Sequence, residues 1–459
     1  MDSRISPILI PLLLASLCCF LIRSAEAQET WLHEPINYRT AAADNPISRL
    51  QTKLEKGSET LQIQGEFGYL ESLLKTLNVP VDSQTLVFSK TSLQLRKISP
   101  ATPRALYFND ELYIGYTVGG DVLEISVADP RLGTAFYTLS QTSSTPQFRR
   151  QSDECIACHS SSRTEGVPGH LMRSLKTAAD GQPLFSAGSQ NVNHTTPLQK
   201  RFGGWYVTGT HGSQRHQGNV FSTRDQPDDD SNDSGLNRES LQHLFRTDRY
   251  LSPHSDLVAL MILGHQVLVH NRLTKAAFTT REALNYQQAL NKALKNPPGT
   301  QLESTSRRIA SAGEQLVEAL LMAQEAQLTE SVSGTAGFQH SYSNRGPRDS
   351  HDRSLFQLDL QRRLFRFPCS PLIYSPAFRS LPAEMKTWVV GRIRDVLKNS
   401  ATDARERFTH LSAEDRENIL EILSETHPDF RDATTGLPDT ADSRNTGAAN
   451  PDAGTDQRN

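Results

Sequence analysis

A chain of 459 residues is long enough for two or three domains. Hydrophobic residues at 36% and charged residues at 22% support folded cores beneath a polar surface, with room for unstructured stretches. A formal net charge of −3 lacks the basic footprint that nucleic-acid binding requires, which excludes a polyanion partner.

The first residues read as an export signal. Arg4 precedes an apolar run from Pro7 to Ile22, and Ala25-Glu26-Ala27 offers small residues to a signal peptidase. Residues 1–27 are expected to be removed, which makes the mature protein periplasmic or otherwise exported; a retained signal would leave it anchored to the membrane. Loss of Cys18 and Cys19 leaves Cys155, Cys158 and Cys369, too few for a disulfide framework. No membrane span is expected in the mature chain, since the best later candidate, Leu257 to Val269, is short and contains His265.

Residues 28–75 read as a helical N-terminal segment, with Asn45 and Pro46 opening one helix and Leu70, Leu73, Leu74 and Leu77 marking a second. Residues 76–225 read as β-rich. Thr85 to Phe88, Arg104 to Phe108, Leu112 to Val118, Val122 to Val127 and Ala135 to Leu139 are strands of a meander, separated by turns at Asn109-Asp110, Gly119-Gly120 and Asp129-Pro130. Gly204 to Gly209 is a further strand signal. Residues 226–237 form an acidic linker, where a near match to a calcium loop lacks the required glycine. Residues 238–428 read as an α-helical domain, with helices around Leu257–Leu268, Ile309–Ala326 and Met385–Leu397, and one over Ser412–Leu423 with Ser412 as its N-cap. Residues 429–459 have almost no large apolar side chains and read as a disordered tail.

The motif that carries chemistry is Cys155-Ile156-Ala157-Cys158-His159, in a loop after the meander. Two thiols separated by two residues match the spacing of the two vinyl groups on one porphyrin edge, and the next residue, His159, then lies under the iron as proximal ligand. A redox dithiol would need a βαβ setting that is missing here. A zinc site would need two more ligands, and Cys369 stands alone and distant.

At these residues the chain resembles the c-type cytochromes. More broadly, the stretch through Gly166-Val167-Pro168-Gly169-His170 and Gly204 to His216-Gln217-Gly218-Asn219 is similar to large, poorly characterised bacterial monohaem proteins. The resemblance implies one covalent haem c with its iron, on Cys155, Cys158 and His159, and electron transfer with redox partner proteins. The expected fold class is α+β: a β-meander-rich haem-binding domain followed by an α-helical domain, not a small all-α cytochrome fold. A haem with two protein ligands suits electron transfer; an open iron position suits a peroxidase-like oxidoreductase or a small-molecule sensor. Candidate sixth ligands are His216 and His170, then His211, with His194 and Met172 also in reach. His265 and His270, about 140° apart round a helix, do not form a two-histidine metal site.

Overall fold

The computed structural model describes residues 30–222, 233–400 and 404–431. The expected signal, most of the acidic linker and nearly all of the tail lie outside them.

Local signals set the first elements. Asn45 caps α1 (Pro46–Glu55) by accepting from the backbone N–H groups of Ile47 and Ser48, and Pro46 takes the first helical position. A short helix, α2 (Leu70–Thr76), follows. The meander is then β1 (Thr85–Val87), β2 (Arg104–Phe108), β3 (Leu112–Tyr116), β4 (Val122–Asp129), β5 (Gly133–Ser140) and β6 (Phe148–Arg150). Its turns carry the expected chemistry. Asn109 Oδ1 accepts from the N–H groups of Glu111 and Leu112, and Asp129 Oδ1 from those of Arg131 and Leu132. The β4–β5 turn needs Gly133 at φ 71° because a Cβ there would meet Thr274 at 2.2 Å.

The sheet is antiparallel throughout, in the order β6-β5-β4-β3-β2-β1-β7, with β7 (Trp205–Tyr206) returning from later in the chain to pair with β1. Alternation gives it two faces. On β4, Leu123, Ile125 and Val127 enter a core shared with α1, α2 and Tyr38. Val122, Glu124 and Ser126 point to the opposite face.

That second face is covered in part by α4 (Leu257–Leu294), a 38-residue helix whose first two turns are buried on every side. An all-round apolar run is what a helix needs when it lies between a sheet and other helices. Leu257 to Leu263 share a core with Val87, Phe108, Tyr113 and Trp205 of the sheet. The other flank of α4 packs with α5 (Glu303–Leu320), α6 (Ala383–Leu397) and α7 (Ala413–Thr426). A two-residue pairing of Gly209–Thr210 with Ser333–Gly334 joins the regions again. The stretches on either side of residues 226–237 therefore share a core, and the α+β class is as the sequence predicts.

Some bounds differ. α5 ends at Leu320, before the predicted Ala326, because Met322 and Gln324 take positive φ, which no glycine or proline announces. The predicted strand at 204–209 splits, since Val207 N–H donates to Asn219 Oδ1 at 2.7 Å and the chain leaves the sheet after Tyr206. Phe430, assigned to the tail by composition, is buried, with the Arg394 guanidinium over its ring. Ser412 caps α7 as predicted, its hydroxyl accepting from Asp415 N–H at 3.0 Å. Ser412→Ala should lower stability by about 1 kcal/mol, read as a shift in urea midpoint at constant slope. No change would mean that Asp415, which also accepts from Ser412 N–H, caps alone.

Candidate functional site

After β6 the chain folds back over the second face of the sheet. Gln151 anchors this return, its side-chain amide donating to Thr138 Oγ1 at 2.9 Å. The motif itself is one helical turn, α3 (Ile156–His159), with Cys155 at its N-cap position, where a loop was predicted. A single turn puts both thiols and the imidazole on one local surface. Cys155 is half-buried, Cys158 is exposed, and neither is in a disulfide.

His159 is held at both ends. Its carbonyl accepts from Gly169 N–H at 2.9 Å, and its Nδ1 lies 2.9 Å from the Gly169 carbonyl. A carbonyl can only accept, so Nδ1 carries the proton and Nε2 presents its lone pair. This is how a metal-binding histidine has its tautomer set by a second partner. The ring packs on Phe136 of β5 at 4.8 Å between centroids. Burial, the largest influence, holds the imidazole below its ordinary pKa and so neutral.

The loop from 160 to 170 is built to hold Gly169 in place. Thr164, fully buried, donates its hydroxyl proton to the Val167 carbonyl at 2.9 Å, the nearest of three in reach, and accepts from Ser161 N–H. Asn271 of α4 grips the next peptide on both sides: its Oδ1 accepts from His170 N–H and its amide donates to the His170 carbonyl, each at 2.9 Å. Gly169 has no room for a side chain, since a Cβ would lie 2.5 Å from Asn271 Oδ1.

The candidate sixth ligands fall in different places. His170 follows Gly169, whose carbonyl faces His159 Nδ1. Its ring is 4.4 Å from Tyr113 and 5.3 Å from His270, and its Nδ1 is 3.1 Å from Ser126 Oγ. His211 and His216 pack on each other at 4.8 Å. His211 Nε2 accepts from Asn237 N–H, and His216 Nδ1 from Gly218 N–H. Met172 is buried in the core that also holds Trp205 and Leu263. His194 pairs with His265, their Nδ1 atoms 3.0 Å apart, while His265 Nε2 meets Ser370 Oγ at 2.7 Å. His270 turns instead to the Asp110 carbonyl, so the two histidines of α4 have different partners, as their spacing predicts. None of these candidates makes a hydrogen bond or ring contact with His159 among the described residues.

The donor set suits a porphyrin better than the alternatives. Burial, with Glu124 and Glu154 adding to it, pushes the Cys155 thiol up to about 11. A reactive redox dithiol needs the opposite, a depressed thiol pKa. Among the described residues the one group of three clustered metal-competent side chains is Asp349, His351 and Glu425, which does not include the motif. Asp349 is already paired there with Arg353 at 2.7 Å. One half-buried and one exposed thiol on one turn, with a neutral imidazole offering Nε2, are groups that could hold a porphyrin edge and ligate its iron.

Among the described residues no helix is long and apolar enough to cross a membrane. Compared with protein families, curated proteins and solved structures, the chain matches none. Sequence reading found the motif but not its supports. Asn271, Phe136 and Ser126 act through contacts across the fold, and Thr164 and Gly169 through a loop closed on itself. Only the glycine in Gly166-Val167-Pro168-Gly169-His170 gave a local hint.

Proposed function

We propose that the chain is an exported monohaem c-type cytochrome. It carries one haem c on Cys155 and Cys158, with His159 as proximal iron ligand, and passes electrons to redox partner proteins in the periplasm. The observation that carries this reading is the doubly held His159, with Nδ1 committed to the Gly169 carbonyl and Nε2 left as donor, on the same turn as two unpaired thiols. A bound haem would supply a one-electron couple at its iron. The chain's own part is to hold the ring edge by two thioethers, orient the imidazole through Gly169, and pack Phe136 against it.

The test is expression with its signal in a host that matures c-type cytochromes. A pyridine haemochrome spectrum of c type and added haem mass on the peptide spanning Cys155 and Cys158 are expected. The double replacement Cys155→Ala, Cys158→Ala should give colourless protein. A colourless wild-type protein of unmodified mass overturns the reading.

A second reading, a peroxidase-like oxidoreductase or small-molecule sensor with an open iron position, is favoured by one observation. His211 and His216 pack on each other, His194 on His265, and Met172 lies in an apolar core, and none of them, nor His170, makes a hydrogen bond or ring contact with His159 among the described residues. Carbon monoxide distinguishes the two readings: a Soret band that moves on addition supports the open position, and an unaffected low-spin spectrum supports the closed one.

A further inference from the structure

Charge is unevenly placed around the motif. Residues 166–222 hold Arg173, Lys176, Lys200, Arg201 and Arg215 against one carboxylate, Asp180. Arg173 and Ser174 pair antiparallel with Asn191 and Gln190, and the Asn191 amide donates to the Arg163 carbonyl at 2.8 Å. This short ladder therefore runs beside the loop that leaves the motif. Burial and the Arg163 charge hold Arg173 below its ordinary pKa while the Cys158 thiolate acts to raise it, so the three side chains share one neighbourhood. Arg173 Nη2 donates to Ser189 Oγ at 2.5 Å. Among the described residues neither Arg163, Arg173 nor Lys200 forms an ion pair, and Glu165, two residues from Arg163, is taken by Arg272 at 3.3 Å. On the motif's other flank Arg149 and Arg150 are offset by Asp153 and Glu154.

The same ladder walls a groove of about 410 Å³. Ser174, Ser189 and Gln190 lie along it, Lys176 and Lys200 are its cations, and no carboxylate lines it. One wall continues into the turn Phe185–Ala187, where Phe185 is 66% exposed next to Ala187 of the groove. A large exposed apolar side chain beside cations that lack carboxylates has the makeup of a protein docking site. The apolar group anchors the partner, and the charges steer and select it.

We propose that this strip, from Arg163 and Arg173 to Lys200 with Phe185 as anchor, docks an acidic surface of the protein that exchanges electrons with the haem. This rests on the cytochrome reading above and adds the partner's charge and the face it uses, beside Cys158. One electron passes between partner and haem iron, and no bond is made or broken.

The test uses full-length protein, made with and without haem maturation, and a glutamate peptide with one central tryptophan as the acidic probe at low ionic strength. Arg163→Gln, Lys200→Gln changes two exposed side chains, and Lys53→Gln, Lys56→Gln at the end of α1 is the charge-matched control. The strip variant and Phe185→Ser should each bind the peptide severalfold more weakly than the control, matured or not. Carbodiimide coupling in wild type should link the peptide to Lys200, located by mass spectrometry. In matured, reduced protein, one-electron oxidation by ferricyanide, an anion, should slow severalfold in the strip variant and not in the control. Peptide binding by the strip variant equal to the control, or coupling elsewhere, overturns the docking face and leaves the haem reading standing. So does phosphate that displaces the peptide where chloride of equal ionic strength does not, which marks a small-oxyanion site. So does a severalfold rise in affinity on Asp228→Asn, Asp229→Asn, Asp230→Asn beyond that from neutralising the exposed Glu55, Glu384 and Glu417, which makes the chain's own acidic linker the competitor. Weakened peptide binding with unchanged ferricyanide oxidation overturns the redox role of the face. A wild type with no haem overturns the cytochrome reading and that redox role together, and the peptide arm then decides the acidic partner alone.

Discussion

Lowering the pH from 7 towards 4 should unfold the protein. Burial holds His170 and His265 well below the usual imidazole value, His270 at about 4, and His194 and His216 at about 3. All five are buried, and each has a ring contact with another of the fold's histidines. Folded, they stay neutral; unfolded, they take up protons below about pH 6.5. Their contribution to stability is therefore whole above that value and is lost as pH falls towards the folded values. Each can cost up to about 1.4 kcal/mol per pH unit. Five together approach roughly 7 kcal/mol per unit, against a total stability on the order of 5–15 kcal/mol. Glu325, pushed up to about 7 by burial, works in the opposite sense, since its protonation favours the folded state. Burial raises Asp110, Glu111 and Asp256 as well, and these four carboxylates flatten the slope without reversing it, because burial also lowers His159, His211, His410 and His427. Urea midpoints measured at half-unit steps from pH 7.5 to 4.5 should fall steeply below 6.5. His265→Gln, which keeps hydrogen-bonding groups beside His194 and Ser370, should flatten the curve. A flat wild-type profile over this range would show that these rings are not held neutral by the fold.

The elements that were legible in the sequence are those whose causes are local. Asn45 and Ser412 announce helix starts because a cap needs only its own side chain and the next two or three N–H groups. The meander shows because Leu123, Ile125 and Val127 alternate with Glu124 and Ser126 on a strip with one covered face. The motif shows because thiol spacing is set within five residues. What was not legible depends on partners distant in sequence. The apolar run Leu257 to Leu263 implies burial on all sides but not that one side is the sheet. The candidate histidines could be ranked only by proximity in sequence. Their real neighbours, Ser126 for His170 and Asn237 for His211, come from other strands and loops. Asn271 is 101 residues from the peptide it grips, so nothing around the motif could name it.

That grip gives the sharpest test of how the imidazole is positioned. In Asn271→Ala the N–H and carbonyl of His170, both buried, lose their partner at once. An unsatisfied buried polar group costs about 1–3 kcal/mol, so the pair predicts a loss of roughly 2–6 kcal/mol in urea unfolding. Asn271→Asp keeps the acceptor for His170 N–H but removes the donor to its carbonyl, and should fall between wild type and Ala. Gly169→Ala approaches the same contact from the other side, since its new Cβ would sit 2.5 Å from Asn271 Oδ1 and push the amide away. The two changes damage one interaction, so the double variant should lose less than the sum of the singles, by on the order of 1 kcal/mol or more. Strict additivity would show that Gly169 and Asn271 act separately. In protein carrying haem, both single variants should also loosen the bond from His159 Nδ1 to the Gly169 carbonyl. The imidazole then becomes a weaker donor at Nε2, and the reduction potential moves positive while the haem stays covalently attached. An unmoved potential in a variant that has lost the predicted stability would mean that Thr164 alone sets the loop, and that Asn271 serves the packing of α4 but not the orientation of His159.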